Sequence, residues 1–349
     1  MEPSAHCSES APVHLVNPLW DPSGGADWRT IDTWRLLRRH ARVELWSEFE
    51  PSPAFAREYP VKRIRPLLLK LPRHGTLAFV GTYFRIGHWT RLASFERVLI
   101  LYNTDQPDRL AKNLRRLMRA GHEVEVVYTS EALRRLHGGS GEILESPIDV
   151  QRFRPSPGAR PSRPFTVGRL SRDLRTKHHE DDPLLWRTLA RSGCHVRLMG
   201  ATCLAPELAG FPGIELLPAG AEDPAKFLRS LDCFVYRTSS RWFEAYGRVV
   251  MEAMATGLPV VAGARGGYVE RLHDGVSGFV VASTEEVIAR VRALASDRDR
   301  AAAMGAAARR SSFTFNAEDL PRRTIALLTR RMDAVDSNAD PTGVAAATG

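Results

Sequence analysis

The chain has little sulfur to build with. Its 349 residues include four cysteines, Cys7, Cys194, Cys203 and Cys233, with no Cys-x-x-Cys and no companion histidine at zinc-site spacing. Neither a zinc cluster nor a disulfide scaffold is indicated, and Cys194 and Cys233, in apolar surroundings, are expected to be core thiols. No apolar run reaches the roughly eighteen residues of a membrane-spanning helix. The opening stretch MEPSAHCSESAPVHLVN has neither the basic region nor the apolar run of a signal peptide, which predicts a cytoplasmic protein. Asp297-Arg298-Asp299 is the sole Asp-x-Asp triplet, and it falls between two helical segments instead of after a strand, so it is set aside as a metal site. No cofactor and no metal are expected.

What the chain does contain is apolar material for two cores: 43% of the residues are hydrophobic, enough at this length for two domains of ordinary size. The net charge of +9 is concentrated: residues 51–119 hold fourteen Lys or Arg against four acids, Glu58, Glu96, Asp105 and Asp108. Within that region Arg109, Lys112, Arg116 and Arg119 recur at helical spacing, opposite Leu110, Leu114 and Leu117. With Lys62, Arg63, Arg65, Lys70 and Arg73 this stripe suits an anionic partner such as an acidic lipid surface, a lipid diphosphate or an anionic saccharide. No nucleic-acid recognition motif accompanies it.

Apolar runs at Val13–Val16, Val43–Trp46, Leu77–Val80, Val98–Tyr102 and Val124–Tyr128 read as strands, and they alternate with helical segments beginning with 27–40. That alternation predicts an α/β domain with a parallel sheet. After the first strand comes the loop Asp21-Pro22-Ser23-Gly24-Gly25-Ala26, whose backbone N–H groups could meet a phosphate; alone, it is more simply a turn. Residues 79–89 put polar and aromatic groups beyond the carboxyl end of a strand, where ligands of open α/β sheets bind, so His88 is a candidate for acceptor contact beside the plainer reading of a surface histidine. The Pro- and Ser-rich stretch SPGARPSRP predicts a linker near 150–163, after which strands at Phe165–Leu170, Val196–Met199, Ile214–Leu217 and Cys233–Tyr236 again alternate with helices. The first of these strands ends in Gly168-Arg169-Leu170 and Lys177 lies in the loop that follows, so Arg169 and Lys177 are a workable cation pair for a diphosphate, with Arg172 or Arg175 as candidates to share the role.

The most informative stretch is 232–281, which runs strand, polar loop, Glu244, a helix over 246–256 stopped by Gly257, a second strand, and a loop punctuated by Gly263, Gly266 and Gly267. On a helix, Glu244 and Glu252 would lie about 12 Å apart along the axis. Paired carboxylates for hydrolysing one glycosidic bond sit about 5–9.5 Å apart, so this spacing does not suit a hydrolase. It suits a long ligand held by hydroxyls at both ends with its anionic middle over a helix N-terminus. Glu252 alone would read as a solvated helix face, and the three glycines as a strand-to-helix turn.

Taken together, Asp232 with its strand, Glu244-Ala245-Tyr246-Gly247-Arg248, the Met-Glu-Ala-Met-Ala helix, Gly257-Leu258-Pro259-Val260-Val261, Gly266-Gly267, Glu270 and Gly278-Phe279-Val280-Val281 resemble the donor signature of retaining nucleotide-sugar glycosyltransferases of family four. The Gly-Gly loop near the start and the segment 142–155 resemble the same family. The resemblance implies a GT-B fold, two Rossmann-like domains facing a cleft. The expected division is a disordered 1–12, an acceptor-side domain over 13–150, a linker over 151–163, a donor-binding domain over 164–315, a helix over 316–335 that is a candidate to pack on the first domain, and a disordered tail over 336–349.

It further implies that a nucleotide-diphosphate sugar binds Gly24, Gly25, Arg169, Lys177, Glu244, Ala245, Tyr246, Gly247 and Glu252, with Glu244, Arg169, Lys177 and His88 the candidate catalytic residues. Arg169, Lys177 and N–H groups at Gly24 and Gly25 would neutralise the diphosphate without metal. Glu244 would hold the hexose hydroxyls and Glu252 the ribose. A hexose would pass with retention to a saccharide or lipid-linked acceptor, in polysaccharide or glycolipid synthesis, at the inner face of a membrane that the basic region contacts. Two other readings remain open, a nucleotide-sugar 2-epimerase and a nonenzymatic subunit that keeps the scaffold and binds an anionic partner.

Overall fold

The structure is a computed structural model that describes residues 11–85, 88–156 and 164–330. The expected disorder of the first residues and of 336–349, most of the 151–163 linker, and Cys7 lie outside the described residues, or largely so.

The first domain is built from β1 (Val13–Val16), α1 (Gly25–Leu37), β2 (Val43–Ser47), α2 (Pro53–Glu58), β3 (Val61–Arg63), β4 (Thr76–Val80), β5 (Arg97–Tyr102), α3 (Pro107–Arg119), β6 (Val124–Tyr128) and α4 (Glu131–Leu136). Its six strands are parallel in the order β3-β2-β1-β4-β5-β6. Strands β1, β4 and β5 are buried along their whole length, which is why they read as unbroken apolar runs rather than alternating ones. Short β3, with a Lys and an Arg in three residues, is the polar edge strand and carries no such signal.

The second domain repeats the plan with β7 (Thr166–Leu170), α5 (Asp182–Arg191), β8 (His195–Met199), α6 (Ala205–Leu208), β9 (Ile214–Leu217), α7 (Pro224–Arg229), β10 (Cys233–Tyr236), α8 (Arg248–Ala255), β11 (Val260–Gly263), β12 (Gly278–Val281) and α9 (Thr284–Ser296). The strand order is β12-β11-β10-β7-β8-β9, again all parallel. In each sheet the chain starts in the middle and winds both ways, so a crevice opens beyond the carboxyl ends at β1/β4 and at β7/β10. These two crevices face each other.

The chain crosses between the domains twice. Leu144 belongs to the first core, while Ile148, Val150 and Phe153 already pack in the second, so the change of core comes before the expected linker. The return is made by α10 (Arg298–Thr314), whose Ala308 packs in the second core, and α11 (Leu320–Thr329), which joins the first. Between them residues Phe315–Asp319 form a turn of π-helix. The two crossings lie side by side: the Ile148 N–H donates to Asn316 Oδ1 at 3.2 Å, and Glu145 takes Arg271 and, at 2.9 Å, Arg323.

Phe315, Leu320, Leu327 and Leu328 share a cluster with Val13, Leu15, Ile31 and Leu37. Buried Arg97 satisfies the end of α11, donating to the Leu327 carbonyl at 2.6 Å while paired with Glu125 at 2.8 Å. Leu328 is fully buried at this seam. Leu328→Ala is therefore expected to cost about 2–5 kcal/mol by denaturant unfolding. A cost below about 0.5 kcal/mol, the range of surface substitutions, would mean that α11 is not a working part of the first core.

Candidate functional site

The facing crevices form one cleft of about 1050 Å³. Its first-domain wall follows the ends of β1 and β4, with Asn17, Gly24, Gly25, Asp27 and Gly81, and its second-domain wall follows β7 and β10, with Ser171, Arg172, Lys177, Tyr236, Glu244–Val249 and Glu252.

Glu244 sits in the loop from β10 to α8. Its carboxylate accepts from Lys177 Nζ at 2.5 Å and from the Tyr236 hydroxyl at 2.8 Å. Burial alone would raise the Glu244 carboxyl, but the Lys177 charge and these two hydrogen bonds hold it below the usual carboxylate range. Trp242 covers the ammonium group, its ring centroid 4.5 Å away. Backbone geometry fixes the loop. Gly247 at φ +71° admits the turn into α8, and a Cβ there would come within 2.7 Å of Tyr268. Gly266 and Gly267 back the loop instead of lining the cleft: the Gly267 N–H donates to the Glu244 carbonyl at 2.8 Å, and a Cβ on Gly267 would strike the Ala245 carbonyl at 2.1 Å. From the first domain, Ser130 Oγ donates to that same carbonyl at 2.6 Å, and Glu270 accepts from the Ala132 N–H at 2.6 Å.

Glu252 lies on α8 at the floor of the cleft. Arg248, one turn earlier, donates to it at 2.9 Å, to the Pro147 carbonyl at 2.6 Å and to Asp32 of the first domain. Burial raises the Glu252 carboxyl to about 6, with Arg248 opposing and Asp32 adding to the rise. The Asp32–Arg248–Glu252 chain thus ties the two domains along the floor of the cleft. Asp32 and Arg248 are 216 residues apart in sequence, so no local pattern announces their link.

Several expected site residues are placed otherwise. Arg169 does not line the cleft. It is fully buried beneath it, paired with Asp182 at 3.0 Å and donating to the Arg237 carbonyl at 2.7 Å and to the Lys177 carbonyl. Asp182 also takes Arg237 at 2.8 Å. Burial would push the Asp182 carboxyl up, but His178, Arg169 and Arg237 hold it below its ordinary value. The cation that does reach the cleft beside Lys177 is Arg172, whereas Arg175 turns away to Glu207 at 2.9 Å. His88 is exposed and is not among the lining residues; its neighbour Trp89 is buried and donates to Glu48 at 2.8 Å.

The glycine loop lines the cleft as expected, but the Gly24 N–H is spent on the Asp21 carbonyl at 2.8 Å. A Cβ on Gly24 would lie 2.3 Å from Asp27 Oδ2, so this glycine makes room for a carboxyl at the start of α1. Burial raises that Asp27 carboxyl to about 7, with a hydrogen bond from the Asp21 backbone opposing. The first turn of α8 carries no acid, so its positive end is open to an anion. At the mouth of the first domain, exposed Trp20 and Tyr83 stand 6.4 Å apart, with Phe49 5.0 Å from Trp20 and Arg109 over the Tyr83 ring at 4.3 Å. Lone aromatics in the sequence gave no sign of this grouping. Among the described residues no cluster of three or more His, Cys, Asp or Glu could hold a metal ion, and Asp297 instead caps α10 through the Arg300 N–H at 2.9 Å.

Residues 213–311 match the family model of the glycosyl transferases group 1. The resemblance read from 232–281 is borne out by that match, which includes Glu244 and Glu252. A GDP-mannose-dependent alpha-(1-6)-phosphatidylinositol monomannoside mannosyltransferase of Mycobacterium tuberculosis is 32% identical over 200 residues, 48% of this chain and 50% of the relative. The protein so named in Mycolicibacterium smegmatis is 32% identical over 232 residues, 55% and 59% of the two chains. A Streptomyces griseus D-inositol 3-phosphate glycosyltransferase is 39% identical over 100 residues, 28% and 21%. The chain thus spans about half the length of the mycobacterial relatives it matches. In fold it is similar to the Anabaena protein HepE in complex with UDP-glucose, with a TM-score of 0.71 at 18% identity over 91% and 99% of the chains. It is also similar to WaaG, a glycosyltransferase involved in lipopolysaccharide biosynthesis, with a TM-score of 0.64 at 15% identity over the same shares. The fold is GT-B, two six-stranded parallel α/β layers about a cleft.

Proposed function

We propose that the protein is a hexosyltransferase that takes a nucleotide-diphosphate sugar into the cleft and passes the hexose to a saccharide or lipid-linked acceptor. The observation that carries the reading is the Lys177–Glu244–Tyr236 centre, whose Tyr236 and Glu244 lie in the segment that matches group 1 glycosyltransferases and which opens on the same cleft as Glu252. Glu252 would hold the ribose, and the diphosphate would lie over the start of α8 near the N–H groups of Tyr246 and Gly247. Lys177 would neutralise it, with Arg172 rather than Arg169 as the second cation. Glu244 would accept from the hexose hydroxyls, with Ala245 at its side. The bond from the anomeric carbon to the phosphate oxygen breaks as the acceptor oxygen bonds that carbon, and the acceptor proton ends on the departing diphosphate.

Retention of configuration and independence of metal follow from the family resemblance and belong to the proposal. The aromatic group of Trp20 and Tyr83 at the first-domain mouth suits a saccharide face, which supports an acceptor position there. Contact of the basic region with an anionic membrane fits a lipid-linked acceptor; among the described residues no helix is long and apolar enough to cross a membrane. Neither the epimerase nor the nonenzymatic reading is favoured, because the matched family and relatives are named for glycosyl transfer.

Thermal unfolding of the purified protein against UDP, GDP and ADP sugars tests the donor site. A nucleotide sugar at 100 times its Kd should stabilise by about 2.7 kcal/mol. A Glu252→Ala variant that keeps the full shift would remove the ribose role.

Asp27 supplies a pH signature. Its carboxyl loses its proton above about 7 and then places a negative charge at the glycine loop, where the donor diphosphate would lie. Affinity for an intact nucleotide sugar, which does not itself titrate near neutrality, is expected to rise as pH falls from about 8 to about 6, by several-fold. Calorimetric titration should find that Asp27→Asn flattens this profile; a profile unchanged by the substitution would remove Asp27 from the donor site.

A further inference from the structure

The sequence Arg65-Pro66-Leu67-Leu68-Leu69-Lys70 follows the carboxyl end of β3, the end of the first sheet that opens onto the cleft. Three consecutive leucines there are turned outward: Leu67 is 100% exposed, Leu68 59% and Leu69 67%. The turn is well formed. The Arg65 N–H donates to the Lys70 carbonyl at 2.7 Å, the Lys70 N–H returns to Arg65 at 3.2 Å, and the N–H groups of Leu68 and Leu69 bond back to Arg65 and Pro66 at 3.0 Å each. Its base is pinned by Ile64 and Leu71, both buried in the core that also holds Leu110 and Leu117 of α3. Leu69 takes φ +52°, a left-handed conformation that a leucine adopts at a cost. The fold therefore spends backbone strain to present three apolar side chains to the outside.

At this tip the exposed charge is positive, while the acids Glu44 and Glu50 are paired with Lys62 and Arg63 on β3. Arg65, Lys70 and Arg73 are exposed, and among the described residues no carboxylate pairs with Arg65 or Lys70. Helix α3, on the same face of the sheet, exposes Lys112, Arg115, Arg116 and Arg119. A second copy of the chain meeting this tip symmetrically would bring its cations against these, a like-charge juxtaposition that opposes association. A three-leucine tip is also too narrow for the area a stable protein interface buries. A bilayer with anionic headgroups matches both features, since it takes apolar side chains below a layer of phosphate.

We propose that Leu67, Leu68 and Leu69 insert into the interfacial region of an anionic membrane while Arg65, Lys70 and Arg73 hold the headgroup phosphates. The insertion would set the carboxyl ends of the first-domain strands, and so the acceptor side of the cleft, toward the lipid surface. This rests on the peripheral-membrane reading above and deepens it, adding an apolar anchor to the basic region; it does not depend on glycosyl transfer.

The test is cosedimentation of the full chain with phosphatidylcholine vesicles made with and without phosphatidylglycerol. The wild type should bind the anionic vesicles. The triple variant Leu67→Ser, Leu68→Ser, Leu69→Ser should bind them about tenfold more weakly or worse, the scale expected for losing one of two membrane signals, and its residual binding should vanish in high salt. Arg65→Gln with Lys70→Gln should reduce the preference for phosphatidylglycerol. The substituted leucines are solvent-exposed, so unfolding temperatures and nucleotide-sugar shifts should match the wild type. Wild-type binding that the leucine variant retains in full would overturn insertion and leave attachment by charge alone. Wild type that ignores anionic vesicles would overturn both insertion and the peripheral reading. A leucine variant whose oligomeric state differs from wild type by sedimentation velocity would assign the tip to a second copy and likewise overturn the proposal.

Discussion

Glu244→Ala is expected to lower glycosyl transfer by about 10²–10³-fold, the scale on which a single preorganised charged or hydrogen-bonding group at a reacting centre is worth. The substitution removes the proposed acceptor for the hexose hydroxyls and releases Lys177 Nζ and the Tyr236 hydroxyl, now 2.5 and 2.8 Å from the carboxylate. Because these groups line the cleft, water can enter the space the carboxylate leaves, and the accompanying loss of stability is expected to be only about 1–3 kcal/mol. Glu244→Gln separates charge from hydrogen bonding, since an amide can still accept from Tyr236. The carboxyl of Glu244 lies below the usual range, so the ion pair's contribution is fully present above the ordinary glutamate value and fades only as pH falls through the lowered one. Activity should therefore hold through mildly acidic pH where this pair is concerned. Steady-state rates on an assayed donor and acceptor check the point; a Glu244→Ala enzyme with wild-type kcat would take Glu244 out of the chemistry.

Asp182→Ala is expected to have the larger effect on folding. It leaves two buried guanidinium groups, Arg169 and Arg237, without the carboxylate now 3.0 and 2.8 Å from them. Breaking a buried ion pair by removing one partner costs about 3–5 kcal/mol, a large share of a typical domain's stability. The same cluster decides what Arg169 does. If its guanidinium is a buttress, Arg169→Met should lower the unfolding temperature of the free protein. It should also disturb the loop whose Lys177 carbonyl it holds. If Arg169 instead grips the donor, the variant should lose nucleotide affinity while the free protein stays as stable as wild type. Denaturant unfolding with and without a nucleotide sugar distinguishes the two.

Much of the architecture was legible because most strands carry apolar runs, fully buried in β1 and β10 and partly buried in the edge strands β6 and β9. The runs at Val13–Val16, Val124–Tyr128, Ile214–Leu217 and Cys233–Tyr236 coincide with observed strands to the residue. Strand β3 escaped notice because an edge strand of Val-Lys-Arg has no apolar run to display. Helix α8 starts at Arg248 rather than Tyr246, because Gly247 takes φ +71° and cannot be helical there. At the site, the ordered pieces of 232–281, the Gly24-Gly25 loop and the loop after the Phe165–Leu170 strand led to Glu244, Glu252, Gly24, Gly25 and Lys177, all of which line the cleft. Arg169 and His88 were misplaced for a different reason. Which way a side chain points from a strand end or a loop depends on partners far off in sequence, and Arg169 is turned inward by Asp182 and the Arg237 carbonyl. The Asp32–Arg248 link and the Trp20–Tyr83 group are likewise products of chain crossings that no local spacing encodes.

The cleft is proposed to transfer a hexose from a nucleotide sugar. The most direct test incubates the purified protein, with a chelator present, with UDP-, GDP- and ADP-hexoses and a panel of saccharide and lipid-linked acceptors, and follows nucleotide release beside Glu244→Gln. Release is expected from one nucleotide sugar, should require an acceptor, should yield a glycosylated acceptor, and should be lost in the variant. Tight nucleotide-sugar binding with no acceptor-dependent release, or release that Glu244→Gln leaves unchanged, would contradict it.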